Sequence, residues 1–215
     1  MSPTLSRLVL SRATLLHAER IARLFAAAFA RDPVLDWLMR AGDTRPLSLQ
    51  RFFVSILYSR TIPHGETWMT DDGLGVAAWI PPHCLAAQPN LTHDLRMLPA
   101  ILRLMGLPRL SRGSAIAAAM ERVQPAEPYH YLAFLGVAPR VQGSGLGSAL
   151  LARTLDRVDA VQGNAYLESS NPRNLRLYER AGFSVIREIR ARSDAPPIFA
   201  LWRPKKAQGS STISQ

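Results

Sequence analysis

A nine-residue apolar run, Tyr129–Val137, leads through a turn, Ala138-Pro139-Arg140-Val141-Gln142-Gly143-Ser144-Gly145-Leu146-Gly147-Ser148, into a leucine-rich helical stretch over Gly145–Val161. This order of strand, glycine-rich turn and helix constrains the fold more than any other part of the chain. Glycine at alternating positions removes Cβ atoms where the backbone must curl, so successive N–H groups converge on one anion at a helix N-terminus. The segment predicts a phosphate cradle built from Gln142, Gly143, Ser144, Gly145, Leu146, Gly147 and Ser148. A P-loop would need Gly-Lys-Ser/Thr at the helix start, and the segment has no lysine. A dinucleotide fingerprint would want Gly or Ala in place of Ser148 and an acidic residue about 20 positions on, near where Glu168 stands. That reading and a plain tight turn both stay open on the turn alone.

The pattern of strand and helix continues downstream. Ala165–Glu168 reads as a strand, Pro172–Ala181 as a helix that stops at Gly182, and Phe183–Arg190 with Pro197–Trp202 as a closing antiparallel pair. Asn174 and Tyr178 stand four apart on the expected helix, so both side chains can point at one ligand. A right-handed crossover sets the strands holding Leu135 and Glu168 side by side and parallel.

Upstream, Leu5–Leu10 reads as a first strand, and Thr14 as the cap of a helix over Leu15–Ala30. Asp32-Pro33 interrupts that pattern, Val34–Met39 forms a short helix carrying Trp37, and Pro46 opens another helical stretch to Tyr58. Glu66–Thr70 and Leu74–Ile80 flank Asp71-Asp72-Gly73, a hairpin signal. From Asp94 to Arg122, Pro99, Pro108 and Gly113 divide the pattern into two or three short helices, an insert that would wall the site.

Of 215 residues, 47% are apolar and 20% charged, the composition of a folded chain. One domain over residues 1–205 is expected, with a polar tail at 206–215. The net charge of +10 is nearly all arginine and favours polyanions, phosphorylated cofactors among them. Its basic residues are scattered and not interleaved with aromatics, so no nucleic-acid partner is expected. Cys84 is the only cysteine, which excludes an intramolecular disulfide. No apolar stretch reaches the roughly 18–20 residues of a membrane span, so a cytoplasmic location without membrane partner is expected. No metal is called for.

Gln142, Gly145 and Gly147 meet the pattern Arg/Gln-x-x-Gly-x-Gly/Ala. Farther on, Tyr166-Leu167-Glu168-Ser169-Ser170-Asn171-Pro172-Arg173-Asn174-Leu175-Arg176-Leu177-Tyr178 ends a strand and opens a helix that closes before Gly182-Phe183. In both stretches the chain resembles the GNAT superfamily of acetyltransferases. The resemblance implies an α+β (α/β) fold: a single domain whose mixed central sheet of about seven strands splays between the fourth and fifth, flanked by helices and carrying a helical insert. It implies acetyl-CoA as cofactor, with the pantetheine arm along Leu135, Gly136 and Val137, the phosphates on the turn, and Asn174 and Tyr178 beside the arm.

The implied reaction is N-acetyl transfer by direct attack of a primary amine of a small molecule. Tyr178 would be the general acid. Glu168 would be the base, with Asp32 a second candidate as base or as anchor for a cationic substrate, and His130 reads as structural. Phe25-Ala26-Ala27-Ala28-Phe29 and Val76-Ala77-Ala78-Trp79 further resemble the puromycin N-acetyltransferase type, which carries an aromatic residue where this chain has Asp32. Asp32, Trp37 and Trp79 are assigned to the acceptor. Transfer to a protein N-terminus or lysine, and CoA binding without turnover, are the competing readings. A homodimer is compatible with each.

Overall fold

The computed structural model describes residues 8–206 apart from 40, 64, 87–98, 100, 103 and 104. Seven strands form one sheet: β1 (Leu10–Arg12), β2 (Glu66–Thr70), β3 (Gly75–Ile80), β4 (Tyr129–Val137), β5 (Asn164–Ser169), β6 (Ser184–Ile189) and β7 (Ile198–Arg203). Their order is β1-β2-β3-β4-β5-β7-β6, and every neighbouring pair is antiparallel except β4–β5. The helices are α1 (Ala18–Ala28), α2 (Pro33–Leu38), α3 (Arg45–Ile56), α4 (Pro82–Ala86), α5 (Leu110–Glu121), α6 (Leu146–Ala160) and α7 (Leu175–Arg180).

β4 decides where the sheet opens. It pairs with β5 only over Tyr129↔Asn164, His130↔Ala165 and Tyr131↔Tyr166, after which the two strands part. On its other edge the register with β3 passes from Trp79↔Leu132 to Ala78↔Phe134, leaving Ala133 as an extra, bulged residue. The alternation of side chains changes phase there. Tyr129 and Tyr131, then Phe134, face one apolar core, whereas Leu132, then Leu135, face the other. The seven-stranded mixed sheet that opens between its fourth and fifth strands is the architecture implied by the sequence resemblance.

The two faces carry different helices. Ile21, Leu24 and Phe25 of α1 and Leu49 and Phe53 of α3 pack on one face with Phe134. The contact is close because β4 has no side chain at Gly136: a Cβ there would lie 2.6 Å from Phe25 Cδ1. On the opposite face Leu150, Leu151, Leu155 and Val158 of α6 cover Ala77, Trp79, Leu132 and Leu167. Arg203 at the end of β7 fixes the far end of α6, donating to both carboxylate oxygens of Asp159 at 2.6 and 2.9 Å.

Several boundaries differ from the expected ones. The first described strand is Leu10–Arg12, and residues 5–7 of the expected strand lie outside the described residues. A 3-10 turn, Leu15–His17, precedes α1, which ends at Ala28. The stretch Pro172–Ala181 is a 3-10 turn, Pro172–Asn174, followed by α7, so Asn174 caps the helix that carries Tyr178 and is not inside it. The Asn171 side chain accepts from Arg173 N at 3.0 Å and tightens that first turn. Residues 94–98, 100, 103 and 104 of the insert over 94–122 and the tail beyond 206 lie outside the described residues; the described part of the insert includes α5.

Candidate active site

The turn after β4 folds as its glycines require. Gly143 and Gly145 have φ of 80° and 88°, and Gly145 is the N-cap of α6. Gln142 Nε2 donates to Val137 O at 3.1 Å and Ser144 Oγ to Val141 O at 2.7 Å, which pins the loop against the strand end. The first helical bond comes from Ala149 N to Gly145 O. The amides of Gly143, Gly145, Leu146, Gly147 and Ser148 therefore donate to no acceptor among the described residues. With the positive end of a fifteen-residue helix behind them, they form a strong site for an anion.

The amides open into a cavity of about 820 Å³. Its floor includes Leu135 and Val137 of β4, and its far wall Asn171, Asn174, Leu177 and Tyr178. The backbone of β4 is available there. Ala138 N donates to Leu74 O across the β3 side, so by strand alternation the N–H and C=O groups of Leu135 and Val137 point to the edge that β5 has left. Tyr178 is 8% exposed, and burial pushes its phenol well above the ordinary value, so it stays a neutral O–H donor.

Asp32 closes one end of the cavity. Its Oδ1 accepts from Val34 N at 3.0 Å and Leu35 N at 2.9 Å, capping α2, while Ser170 Oγ donates to Oδ2. Both carboxylate oxygens are thus engaged, and the loop after β5 is tied to the end of α1. Arg31, Arg173 and Arg180 also line the cavity, and none meets a carboxylate among the described residues. The sequence reading passed over these three because arginine is abundant throughout the chain; only the fold separates the cavity arginines from the rest.

Among the residues singled out in the sequence, Asp32, Leu135, Val137, Gln142, Gly143, Gly145, Gly147, Ser148, Asn174 and Tyr178 line the cavity. Gly136 faces Phe25, and Ser144 and Leu146 are in the turn without lining the space. Trp37 lies elsewhere, donating to Asp194 Oδ2 at 3.1 Å beneath the Arg112 guanidinium. Trp79 is 3% exposed in the core under α6. Neither tryptophan reaches the cavity.

Glu168 is likewise absent from the cavity wall. Leu167 packs with Tyr178, and the next residue of the strand must point to the opposite face, beside Tyr166. Both Glu168 carboxylate oxygens are sealed from solvent and accept no hydrogen bond. Burial pushes the carboxyl up; the nearby hydroxyls of Tyr131 and Tyr166 pull the other way, though neither meets hydrogen-bond geometry. His130 is held low, chiefly by burial.

The GNAT family model of acetyltransferases matches residues 93–183, which include both glycine-rich and Asn/Tyr signatures. A Corynebacterium glutamicum protein described as histone acetyltransferase HPA2 and related acetyltransferase is 25% identical, with a TM-score of 0.71 over 97% of this chain and 99% of that one. A Drosophila melanogaster polyamine N-acetyltransferase (15% identity, TM-score 0.59, 92% and 100% of the two chains) has the same fold. So does Aedes aegypti arylalkylamine N-acetyltransferase 2 (13% identity, TM-score 0.60, 92% and 99%). The family match across both signatures and the fold shared along the chain make this protein similar to the GNAT acetyltransferases, which use acetyl-CoA.

Proposed function

We propose that the protein transfers the acetyl group of acetyl-CoA to a primary amine of a small molecule. The observation that carries this reading is the cavity that joins the unpaired amides of Gly143, Gly145, Gly147 and Ser148 to Tyr178 along the open edge of β4. A diphosphate suits the amides, and an extended arm suits the strand edge at Leu135 and Val137. That layout brings a thioester toward Tyr178.

In the proposed step the amine nitrogen bonds to the thioester carbon, the C–S bond breaks, and the departing thiolate takes the proton of Tyr178. The backbone N–H of Val137 is placed to steady the carbonyl oxygen as charge develops. Glu168 accepts the proton that the amine loses. Small acceptors are favoured over polypeptides because the Asp32–Ser170 link and Phe29 narrow the end of the cavity. The names of the polyamine and arylalkylamine enzymes that share the fold point the same way. The puromycin-type resemblance lends less weight, since Trp37 and Trp79 stand away from the cavity.

The test is release of free thiol from acetyl-CoA in the presence of small amines and of peptides. Thiol release with small amines alone supports the proposal. Release with peptides alone shifts the acceptor to protein, and tight CoA binding without release with any amine leaves a binding module.

A further inference from the structure

The sheet ends on β6, and that edge is open. β6 pairs only with β7, so alternate residues turn their backbone N–H and C=O groups outward. None of those groups meets a partner elsewhere among the described residues. The register with β7 skips Ile186, an extra, bulged residue, and Ile186 and Val185 are 45% and 41% exposed. Beside the strand, the C-terminal end of α5 leaves an open cleft of about 520 Å³. Val123 and Ile189 give it apolar lining, and Arg122, Arg187 and Arg190 stand around it.

The charge of this cleft is unbalanced. Glu188, the acidic residue lining it, already accepts from Arg190 Nε at 2.8 Å, whereas the guanidinium groups of Arg122 and Arg187 meet no acceptor among the described residues. Charges on an exposed edge strand repel unwanted strands. Here the repulsion is selective. A second copy would bring the same arginines to the contact, on a chain whose net charge is +10. The terminal stretches 1–7 and 207–215 contain no Asp or Glu, so neither supplies the missing negative charge. A small anion would answer the arginines but leave the strand edge unpaired. An extended segment in which carboxylates alternate with apolar residues answers both: its backbone pairs with the edge, its apolar side chains cover Val123 and Ile186, and its carboxylates meet Arg122 and Arg187.

We propose that the β6 edge is a docking site for an acidic, extended segment of a partner protein, which adds to the sheet as a further strand. The site is separate from the cavity at Tyr178: β5 and β7 lie between β4 and β6, and the two spaces share no lining residue. A docked strand therefore leaves the coenzyme cavity open, and its binding does not depend on acetyl transfer.

The experiment is fluorescence anisotropy with a labelled peptide of alternating glutamate and valine, at physiological ionic strength. Binding should saturate at one peptide per chain. Methylating alternate backbone nitrogens keeps every carboxylate but removes the strand hydrogen bonds, and should weaken binding at least about tenfold; a lysine–valine peptide should not bind. Arg187→Glu should weaken the acidic peptide at least about tenfold, whereas Arg23→Glu, the same charge change at an exposed position of α1, should alter it by less than about twofold. Arg187 is exposed, so the variant should unfold at the wild-type temperature. No binding, equal binding of the methylated peptide, or equal weakening by the two charge changes overturns the docked strand. So does full displacement of the peptide by inorganic phosphate, which marks a small-anion site. Sedimentation showing a dimer that Arg187→Glu disrupts gives the edge to a second copy and overturns the proposal as well.

Discussion

Tyr178 and Glu168 stand on opposite faces of the sheet, on either side of the gap where β5 parts from β4. Leu167 links them: it packs with Tyr178 in one core, and its neighbour in the strand points into the other. The proton donor and proton acceptor proposed above are thus held on two faces of one opening, an arrangement that suits a reaction whose two substrates arrive from different sides.

Among the described residues the Tyr178 hydroxyl makes no hydrogen bond, and its ring packs edge-on to Phe183 at 6.1 Å between ring centroids. Removing only its hydroxyl should leave the packing in place. Tyr178→Phe is expected to lower kcat by roughly 10–1000-fold, the scale of one lost acid or oriented donor. Calorimetry on the variant should show CoA affinity changed little, and unchanged turnover would remove Tyr178 from the chemistry.

Gly145 adopts φ of 88°, a conformation that costs an L-residue about 1–2 kcal/mol. Gly147 is different: a Cβ there would sit 3.5 Å from Val137 Cγ2, an ordinary contact. Thermal unfolding should show Gly145→Ala destabilised by about that cost, and Gly147→Ala by clearly less. Equal losses would contradict the backbone assigned to the turn.

Glu168 gives stability a pH dependence of known sign. Burial raises its folded pKa above the ordinary 4.5, so above pH 4.5 the unfolded chain loses this proton first. The resulting penalty grows as pH rises toward the folded value. Glu168→Gln lacks the penalty, so its Tm relative to wild type should rise from pH 4 to pH 8. A Tm difference that stays flat across that range would show that the carboxyl is not perturbed.

Asp159 works in the opposite direction. Hydrogen bonding from Arg203, then from Lys206, holds it below its ordinary 3.8 against the effect of burial. Its stabilisation is complete above pH 3.8 and is lost as pH falls through the folded value. Asp159→Asn should cost about 2 kcal/mol at pH 7, between the values for exposed and fully buried pairs. Denaturant unfolding should show the loss shrinking below pH 3.8, and a loss independent of pH would argue against the ion pair.

How far the sequence could be read follows from what each residue answers to. Gly145 and its neighbours were legible because a backbone conformation permits few residue types, and the strand at Tyr129–Val137 because its apolar run ends at a proline turn. The bulge at Ala133 left no such mark, since alanine fits either face and only the cross-strand register reveals it. Trp37 and Trp79 were assigned to the acceptor by residue type alone; one lies beneath Arg112 and the other in the core. Tyr129, Tyr131 and Tyr166 went unremarked as a group because their proximity depends on pairing between strands more than 30 residues apart.

The proposed grip of the Gly143, Gly145, Gly147 and Ser148 amides on a diphosphate is tested most directly by titration calorimetry with CoA and with pantetheine, which has the same arm but no phosphate. Saturable heat at one site per chain for CoA, with pantetheine bound at least about a hundredfold more weakly, is the expected result. No heat with CoA, or equal affinity for both compounds, would contradict it.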